Sequence, residues 1–294
     1  MSNTVVEQKR AELRTFIERE LAQHAPVCAV VGIGSIVTGR AHPGSDIDAL
    51  VFLEPFDPYV TPAEFCWRPS DGTFHSIFAD IQGIDFDLGR LDLARWRDPA
   101  FAWPEPRRAE LATGWLAFDR DGSVAPLIAE RTTYPDDLRI RRLDEAITWL
   151  DQHLGAGMPE QRWSLLGPAI AHDRLNAAYA YVAQALFAYN RRWQPWRNRE
   201  MEALQTLPWR PARFEERILL ALAPSGHDQA GYQARATTLR SLFVELLERL
   251  TDDGLYGADP IGEAFVRAHE EPGRAWNMTE WNNEHARRYG DKRV

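Results

Sequence analysis

The sequence predicts an α+β protein, in which a mixed β-sheet with flanking helices is followed by an all-α helical bundle domain. Short apolar runs that suit buried strands, such as CAVVGIG and IDALVFL, are confined to the N-terminal half. Long stretches with apolar residues at helical spacing fill the C-terminal half. The pattern changes near Tyr134-Pro135-Asp136, so we predict a first domain at 1–134 and a second at 135–294.

The first domain begins with a predicted helix over residues 4–22. Thr4 and Glu7 fit a capping box there, and apolar residues then recur at helical spacing. Strands of the sheet are predicted at 27–32, 47–53, 74–78 and 81–88. The remaining segments are predicted as an irregular excursion at 54–72, a helix at 90–102, a turn at 118–122 and a last core segment at 124–132.

The second domain is predicted to consist of helices alone. These helices are expected at 137–153, 165–192, 213–223 and 229–250, with Pro and Gly only between them. The segment NRRWQPWRNR at 190–199 has two interpretations, a patch that binds phosphates or a ring and a helix end where cations complement the dipole. Trp276 and Trp281 are expected to anchor the last helix, with a lid over a substrate as the alternative.

A Gly-Ser turn followed by a pair of aspartates is the most informative feature of the chain. Gly34 and Ser35 follow the first strand, and after a spacer of ten residues Asp46 and Asp48 open the second. Carboxylates at i and i+2 of a strand share one face and repel each other, which favours a bound divalent cation. Oxygen ligands suit Mg²⁺, and a glycine lets a phosphate approach the main chain. The residues therefore predict a site where Mg²⁺ and phosphate meet.

These residues resemble the DNA polymerase β-like nucleotidyltransferase superfamily, whose signature is Gly-Ser, a spacer of about ten residues and Asp-x-Asp between apolar strands. The resemblance covers residues 27–96. It implies a third carboxylate on a later strand, and the segment GIDFDLG fits best. Asp85 and Asp87 share one face of that strand. We favour Asp87 as the third ligand and keep Asp85 as the alternative.

The resemblance also implies the roles of the acidic residues. Asp46, Asp48 and Asp87 are expected to hold Mg²⁺, as two ions that act on the entering and leaving oxygens. A separate general base would come from Asp85 or from the helical domain, by analogy with the antibiotic-modifying relatives.

The remaining candidate residues are expected to bind the co-substrate, ATP or another nucleoside triphosphate. Gly34 and Ser35 would seat its phosphates, and Ser45 belongs to the Ser-Asp-Ile-Asp form that is common among the antibiotic and minimal enzymes. In relatives, a helix of the second domain lends a basic residue to the triphosphate. Arg174 is the candidate here, with an ordinary ion pair as the alternative.

The whole pattern looks most like the aminoglycoside and lincosamide nucleotidyltransferases. This resemblance implies a Mg²⁺-dependent enzyme that moves AMP from ATP to a hydroxyl of a small molecule, such as an aminoglycoside-like antibiotic, and releases pyrophosphate. Two alternatives stay open. One is transfer to a protein or an RNA, as in toxin and antitoxin systems, and the other is a nucleotide-binding module without catalysis.

Composition limits the partners further. The 294 residues carry a formal net charge of −9, which makes a nucleic-acid partner unlikely and suits a small or cationic acceptor. The polar N-terminus and the short apolar runs predict neither a signal peptide nor a membrane span, so a cytoplasmic protein is expected. Cys28 and Cys66 give no disulfide framework and no zinc pattern. The sequence sets no oligomeric state.

Overall fold

The computed structural model describes residues 2–60, 65–67, 75–81, 84–223 and 226–270, together with residues 283, 286–288 and 290. The chain divides into two compact units, Met1–Thr133 and Tyr134–Val294. The division lies one residue before the boundary expected from the sequence. Within the described ranges, no helix is long and apolar enough to cross a membrane.

The N-terminal unit contains a mixed β-sheet, as predicted, with six strands where the sequence predicted four. Its strands are β1 (Val27–Gly32), β2 (Ile47–Leu53), β3 (Phe65–Trp67), β4 (His75–Ile81), β5 (Ile84–Asp92) and β6 (Trp115–Asp119). They lie in the order β3-β4-β5-β2-β1-β6. The central pair β2 and β5 is parallel, whereas each of the other described pairs is antiparallel. This parallel pair brings two distant parts of the chain side by side.

Helices cover both faces of this sheet. They are α1 (Ser2–Phe16), which continues as a π-helical turn (Ile17–Leu21), α2 (Ser35–Thr38), α3 (Leu93–Arg97), α4 (Glu105–Thr113) and α5 (Val124–Thr132). On one face, Leu13 and Phe16 of α1 pack with Ile47 of β2. On the other face, Leu50 of β2 packs with Trp96 of α3. Because strand residues alternate between faces, Asp48 shares the face of Leu50.

Several elements of this unit differ from the prediction. β1 and β2 have the predicted bounds, but the next long strands are His75–Ile81 and Ile84–Asp92, and residue 74 lies outside the described residues. The predicted helix at 90–102 shrinks to α3, because β5 stays paired with β2 up to Asp92, whose side chain then caps α3. The strand β3 lies within the segment predicted as irregular.

The apolar patterns of β6 and α4 are too weak for these two elements to be predicted. β6 occupies part of the segment predicted as a turn, and every one of its residues is half-buried, so the alternation that identifies a strand is missing. The helix α4 buries only Arg107 and Leu111 along its nine residues. A helix with so few buried apolar positions has no visible apolar stripe.

The C-terminal unit is all-α in its described part, as predicted. Its helices are α6 (Asp136–Leu154), α7 (Met158–Tyr189), α8 (Arg197–Gln205), α9 (Phe214–Leu222), α10 (Gln229–Asp252) and α11 (Pro260–Glu270). A continuous apolar core joins them, with Leu150, Leu186 and Leu239 among its fully buried members. The prediction that Pro and Gly lie only between helices was wrong for α7, which kinks at Gly167 just before Pro168.

Two helices of this unit were not predicted, for opposite reasons. α8 is polar, and its buried face includes Glu200, a residue that sequence patterns assign to solvent. α11 buries only the small residues Ala264 and Ala268 while Phe265 and Val266 stay about half exposed, so its apolar pattern points away from the core.

The segment at 190–199 behaves as a helix end. α7 stops at Tyr189, Trp193 is buried, and the Arg191 guanidinium lies 2.8 Å from the Asp136 carboxylate at the start of α6. The start of the segment is thus a helix end, where Arg191 pairs with a carboxylate. Arg197 and Arg199 lie in the first turn of α8, so a role of all these cations in complementing one helix dipole stays a prediction. The predicted roles of Trp276 and Trp281 fall on positions outside the described residues.

Candidate active site

The Gly34-Ser35 turn is held directly against the second strand. β1 ends at Gly32, and the Ile33 N–H donates to the Asp48 carbonyl at 3.0 Å. Gly34 then adopts φ +66°, a left-handed conformation that glycine tolerates best. A β-carbon added at Gly34 would come within 2.0 Å of Asp48 Oδ2. Only a glycine therefore allows the main chain to approach the Asp48 carboxylate this closely.

Ser35 begins the short helix α2 and carries a buried hydroxyl. Its Oγ has no hydrogen-bond partner among the described residues, although solvent does not reach it. A buried hydroxyl without a partner costs free energy, and native proteins rarely leave one in that state. A polar ligand such as a phosphate oxygen would satisfy it, which is the role expected of Ser35.

Asp48 and Asp87 are register partners across the parallel strands β2 and β5. Both are half-buried, and the strands that carry them lie about 4.8 Å apart, as neighbouring strands do. Asp87 shares a sheet face with Leu91, a member of the same apolar layer as Leu50. Two carboxylates on facing positions repel, and a cation bound beside them would offset that repulsion.

Asp46 and Asp85 lie at the same end of the two strands, one residue before the paired positions Ile47 and Phe86. Both are exposed. The strand register thus brings all four predicted carboxylates to the N-terminal ends of the two central strands, β2 and β5. Across the part of the chain that the structure describes, however, no three His, Cys, Asp or Glu side chains are grouped closely enough to hold a metal ion. The strand pairing directly places only two of these carboxylates, Asp48 and Asp87, opposite each other.

Ser45 is engaged in the loop that leads into β2. Its hydroxyl accepts a hydrogen bond from the His42 N–H at 3.0 Å, and its own N–H donates to the His42 carbonyl at 2.9 Å. These two hydrogen bonds stabilise the turn that precedes Asp46 and the start of β2. A direct contact of Ser45 with nucleotide stays a prediction.

Arg174 belongs to the C-terminal unit, where it is an exposed residue of α7. It lies close enough to His153 for its charge to matter. Burial, followed by the charges of Arg162 and Arg174, lowers the pKa of His153 to about 4. The expected contact of Arg174 with a triphosphate stays a prediction.

One residue at this site gave no signal in the sequence. Arg10 of α1 donates from Nε to the Ile36 carbonyl of α2 at 3.0 Å, immediately after Ser35. Arg10 lies on a half-exposed helix face 26 positions earlier in the chain. Only the packing of α1 against α2 reveals the contact.

Residues 14–97 match the family model of the nucleotidyltransferase domain, and this span includes Gly34, Ser35 and all four carboxylates. A solved structure of a nucleotidyltransferase-like protein from Exiguobacterium sibiricum is similar, with 12% sequence identity, a TM-score of 0.44, and coverage of 96% of this chain and 87% of that one. No curated protein matches the sequence. The family match, together with the site residues that it spans, supports the nucleotidyltransferase superfamily for the N-terminal unit.

Proposed function

We propose that this protein is a Mg²⁺-dependent enzyme that transfers AMP from ATP to a hydroxyl group of a small molecule and releases pyrophosphate. The family match supports nucleotidyl transfer in general. One observation carries the more specific proposal, the facing positions of Asp48 and Asp87 beside the main chain of Gly34. A glycine-serine turn packed against paired carboxylates places a candidate phosphate site beside a candidate metal site, as metal-assisted phosphoryl chemistry needs.

Asp48 and Asp87 would hold the metal, with Asp46 as a further ligand. Their oxygen ligands fit Mg²⁺, which binds one or two protein carboxylates and completes its shell with water and substrate phosphates. When bound, the ions neutralise charge on the phosphates and lower the pKa of the acceptor hydroxyl. The half-buried position of both aspartates keeps their carboxylates in place, so little reorganisation accompanies the reaction.

The Gly34-Ser35 turn would seat the triphosphate. Gly34 lets the main chain of the turn lie directly against the Asp48 carboxylate, and the buried Ser35 hydroxyl would donate to a phosphate oxygen. Asp85, exposed two residues before Asp87 on the same face, would accept the proton of the acceptor hydroxyl. The acceptor oxygen then bonds to the α-phosphorus while the bond to the pyrophosphate oxygen breaks.

The acceptor that we propose is a small cationic molecule of the aminoglycoside class. Two observations support this choice. The whole chain carries a formal net charge of −9, and the exposed carboxylates Asp46 and Asp85 flank the paired aspartates. A site lined by one sign of charge raises the local concentration of ligands of the opposite sign.

The direct test measures pyrophosphate release from each of the four nucleoside triphosphates with Mg²⁺ and a panel of aminoglycosides and lincosamides. Asp48→Asn and Asp87→Asn should each reduce kcat/KM by at least about a hundredfold, because each removes a charged ligand from the reaction centre. Asp85→Asn is the matched control on the same strand, and it should lower kcat while leaving the Mg²⁺ concentration needed for half-maximal activity unchanged.

Each alternative gives its own result. Equal activity of wild type and Asp48→Asn would contradict the catalytic assignment. Turnover on no drug, together with a labelled protein or RNA band from a cell extract, would move the acceptor to a macromolecule. Nucleotide binding that is indifferent to Mg²⁺, without turnover on any acceptor, would indicate a non-catalytic module.

A further inference from the structure

We infer that Arg10 is a positioning residue for the Gly34-Ser35 turn, acting through the Ile36 carbonyl without touching substrate. The inference rests on the proposed function, because it treats this turn as the seat of the triphosphate. It adds a residue of the N-terminal helix to the site, 24 positions before Gly34 in the chain.

The central contact is a hydrogen bond between two helices. Arg10 Nε donates to the Ile36 carbonyl at 3.0 Å, and Arg10 Nη1 donates to Glu7 Oε1 at 3.2 Å. The last four carbonyls of any helix lack a helical N–H partner, and α2 is only four residues long. The guanidinium therefore supplies a donor that so short a helix cannot supply for itself.

Apolar packing fixes the same corner. A β-carbon added at Gly32 would lie 2.8 Å from Ile36 Cδ1, 3.1 Å from Trp115 Cε3 and 3.3 Å from Leu13 Cδ2. Side chains from α1, α2 and β6 thus meet over the last residue of β1. The Arg10 guanidinium carbon lies 5.4 Å from the centre of the Trp115 ring, within the range of a cation–π contact.

Arg10 therefore holds α2 at the residue directly next to Ser35. Ser35 is the first residue of α2, and Ile36 is the second. The hydrogen bond from Arg10 sets the direction in which α2 leaves the turn, and so sets where the Ser35 hydroxyl and N–H point. Loss of that bond should weaken triphosphate binding in the ground state and the transition state alike, which raises KM and leaves kcat nearly unchanged.

Arg14 provides a matched control on the same helix. Its guanidinium carbon lies 4.9 Å from the centre of the same Trp115 ring, and its side chain is exposed. Arg10→Gln and Arg14→Gln each remove one positive charge and one contact with Trp115. Arg10→Gln also removes the hydrogen bonds of the guanidinium to Ile36 and to the exposed Glu7, which Arg14→Gln leaves in place.

The experiment compares steady-state kinetics with MgATP and thermal unfolding for wild type, Arg10→Gln, Arg10→Lys and Arg14→Gln. We expect the KM for MgATP to rise about fivefold to tenfold in Arg10→Gln, the loss expected for one hydrogen bond. Arg14→Gln should keep the wild-type KM. Arg10→Lys, which keeps the charge and one flexible donor, should recover part of the loss.

The outcomes separate this inference from the function on which it rests. Absence of nucleotidyl transfer in wild type would overturn the proposed function itself. An active wild type in which Arg10→Gln and Arg14→Gln have equal KM values would overturn the positioning role alone. A fall in unfolding temperature and kcat in Arg10→Gln, without a rise in KM, would likewise assign Arg10 to general stability.

Discussion

Gly34 is the position at which one added methyl group would reach the candidate site. Two glycines of the turn region have positive φ, Gly34 at +66° and Gly39 at +79°. Both disfavour an L side chain through their positive φ, although Gly39 lies in the αL region at ψ 10° and Gly34 lies outside it at ψ −138°. They differ in space, because a β-carbon at Gly34 would meet the Asp48 carboxylate, whereas one at Gly39 would meet nothing within 4 Å.

If the proposed function is correct, Gly34→Ala should lower nucleotidyl transfer by at least about a hundredfold, since it would displace Asp48, the proposed metal ligand. Gly39→Ala should cost only backbone strain, on the order of 1 kcal/mol of stability, with activity retained. Pyrophosphate release and thermal unfolding of the two variants measure the difference. Equal loss of activity in both would mean that the contact with Asp48 does not matter.

His153 is a buried titratable group in the C-terminal unit. It is 4% exposed, and its ring centre lies 6.2 Å from the ring centres of both Trp149 and Tyr181, which are 6.1 Å from each other. Its Nδ1 has no hydrogen-bond partner among the described residues. Burial and the charges of Arg162 and Arg174 lower its pKa from 6.5 to about 4. The folded protein therefore holds a neutral ring over a range in which the unfolded chain binds a proton.

Because the folded pKa lies below the unfolded value, this contribution to stability should be complete above pH 6.5, should decline as the pH falls from about 6.5 to about 4, and should level off below that. Between pH 7.5 and pH 5 the expected loss is about 2 kcal/mol. Urea unfolding at the two pH values measures it. His153→Phe should remove this part of the pH dependence, whereas His42→Gln, at an exposed loop residue, should retain it. An unchanged pH dependence in His153→Phe would contradict the assignment.

Among individual site residues, the sequence could identify as candidates those that lie close together in the chain. Gly34, Ser35, Asp46 and Asp48 lie within 15 positions, so their spacing alone marked them as candidates. The sequence already favoured Asp87 over Asp85 as the third ligand, and that choice stays a prediction. The register of β2 against β5 adds that Asp87 is the partner of Asp48. No local pattern contains that register.

Helices α6 and α11 are joined by a charged contact within the second unit. Arg267 donates to both oxygens of Asp144, at 2.9 to 3.2 Å, and the Tyr256 hydroxyl donates to the same carboxylate at 2.8 Å. The two partners differ in burial, because the Asp144 side chain is 4% exposed and the Arg267 side chain 38%. Asp144 raises the pKa of Arg267 above its usual range through these hydrogen bonds.

This difference in burial predicts unequal effects of the two single substitutions. Arg267→Met should destabilise the protein by about 3–5 kcal/mol, because it leaves a carboxylate buried without its cation. Asp144→Asn should cost less, about 1–2 kcal/mol, because Arg267 can turn toward water. Urea unfolding measures both. The exposed pair of Arg141 with Asp137 is the control, and Asp137→Asn should give no measurable change. Equal costs at positions 144 and 267 would contradict the argument.

Elements with a strong apolar pattern could be predicted, and elements stabilised by polar or small residues could not. β1 and β2 are apolar runs bounded by turn residues, and their predicted bounds are correct. α10 begins at the predicted residue, Gln229. α8 escaped because its buried Glu200 accepts hydrogen bonds from Tyr179 and Gln194, partners that lie in other parts of the unit. Polar networks of this kind depend on tertiary contacts, which sequence periodicity does not record.

The whole molecule carries more acidic than basic residues, 43 against 34. If the acceptor is a polycation, long-range attraction should contribute to its capture, and dissolved salt should screen that attraction. We predict that the KM for an aminoglycoside rises several-fold when the salt concentration increases from about 0.05 to about 0.3 M. An uncharged alcohol acceptor serves as the control and should keep its KM. The same rise for both acceptors would point to an effect of salt on nucleotide binding.

The parallel pairing of β2 with β5 also decides when the site can form. Asp48 and Asp87 are 39 positions apart in the chain, and the connection between them includes two further strands. Closing so long a connection costs chain entropy before the strands gain any stabilising contacts. Strand pairs of this kind therefore tend to form late in folding. A nascent chain that has released only β1 and β2 carries the turn and the first two aspartates but no facing carboxylate. Under the proposed function, such a chain would have no activity on nucleotides until the sheet is complete.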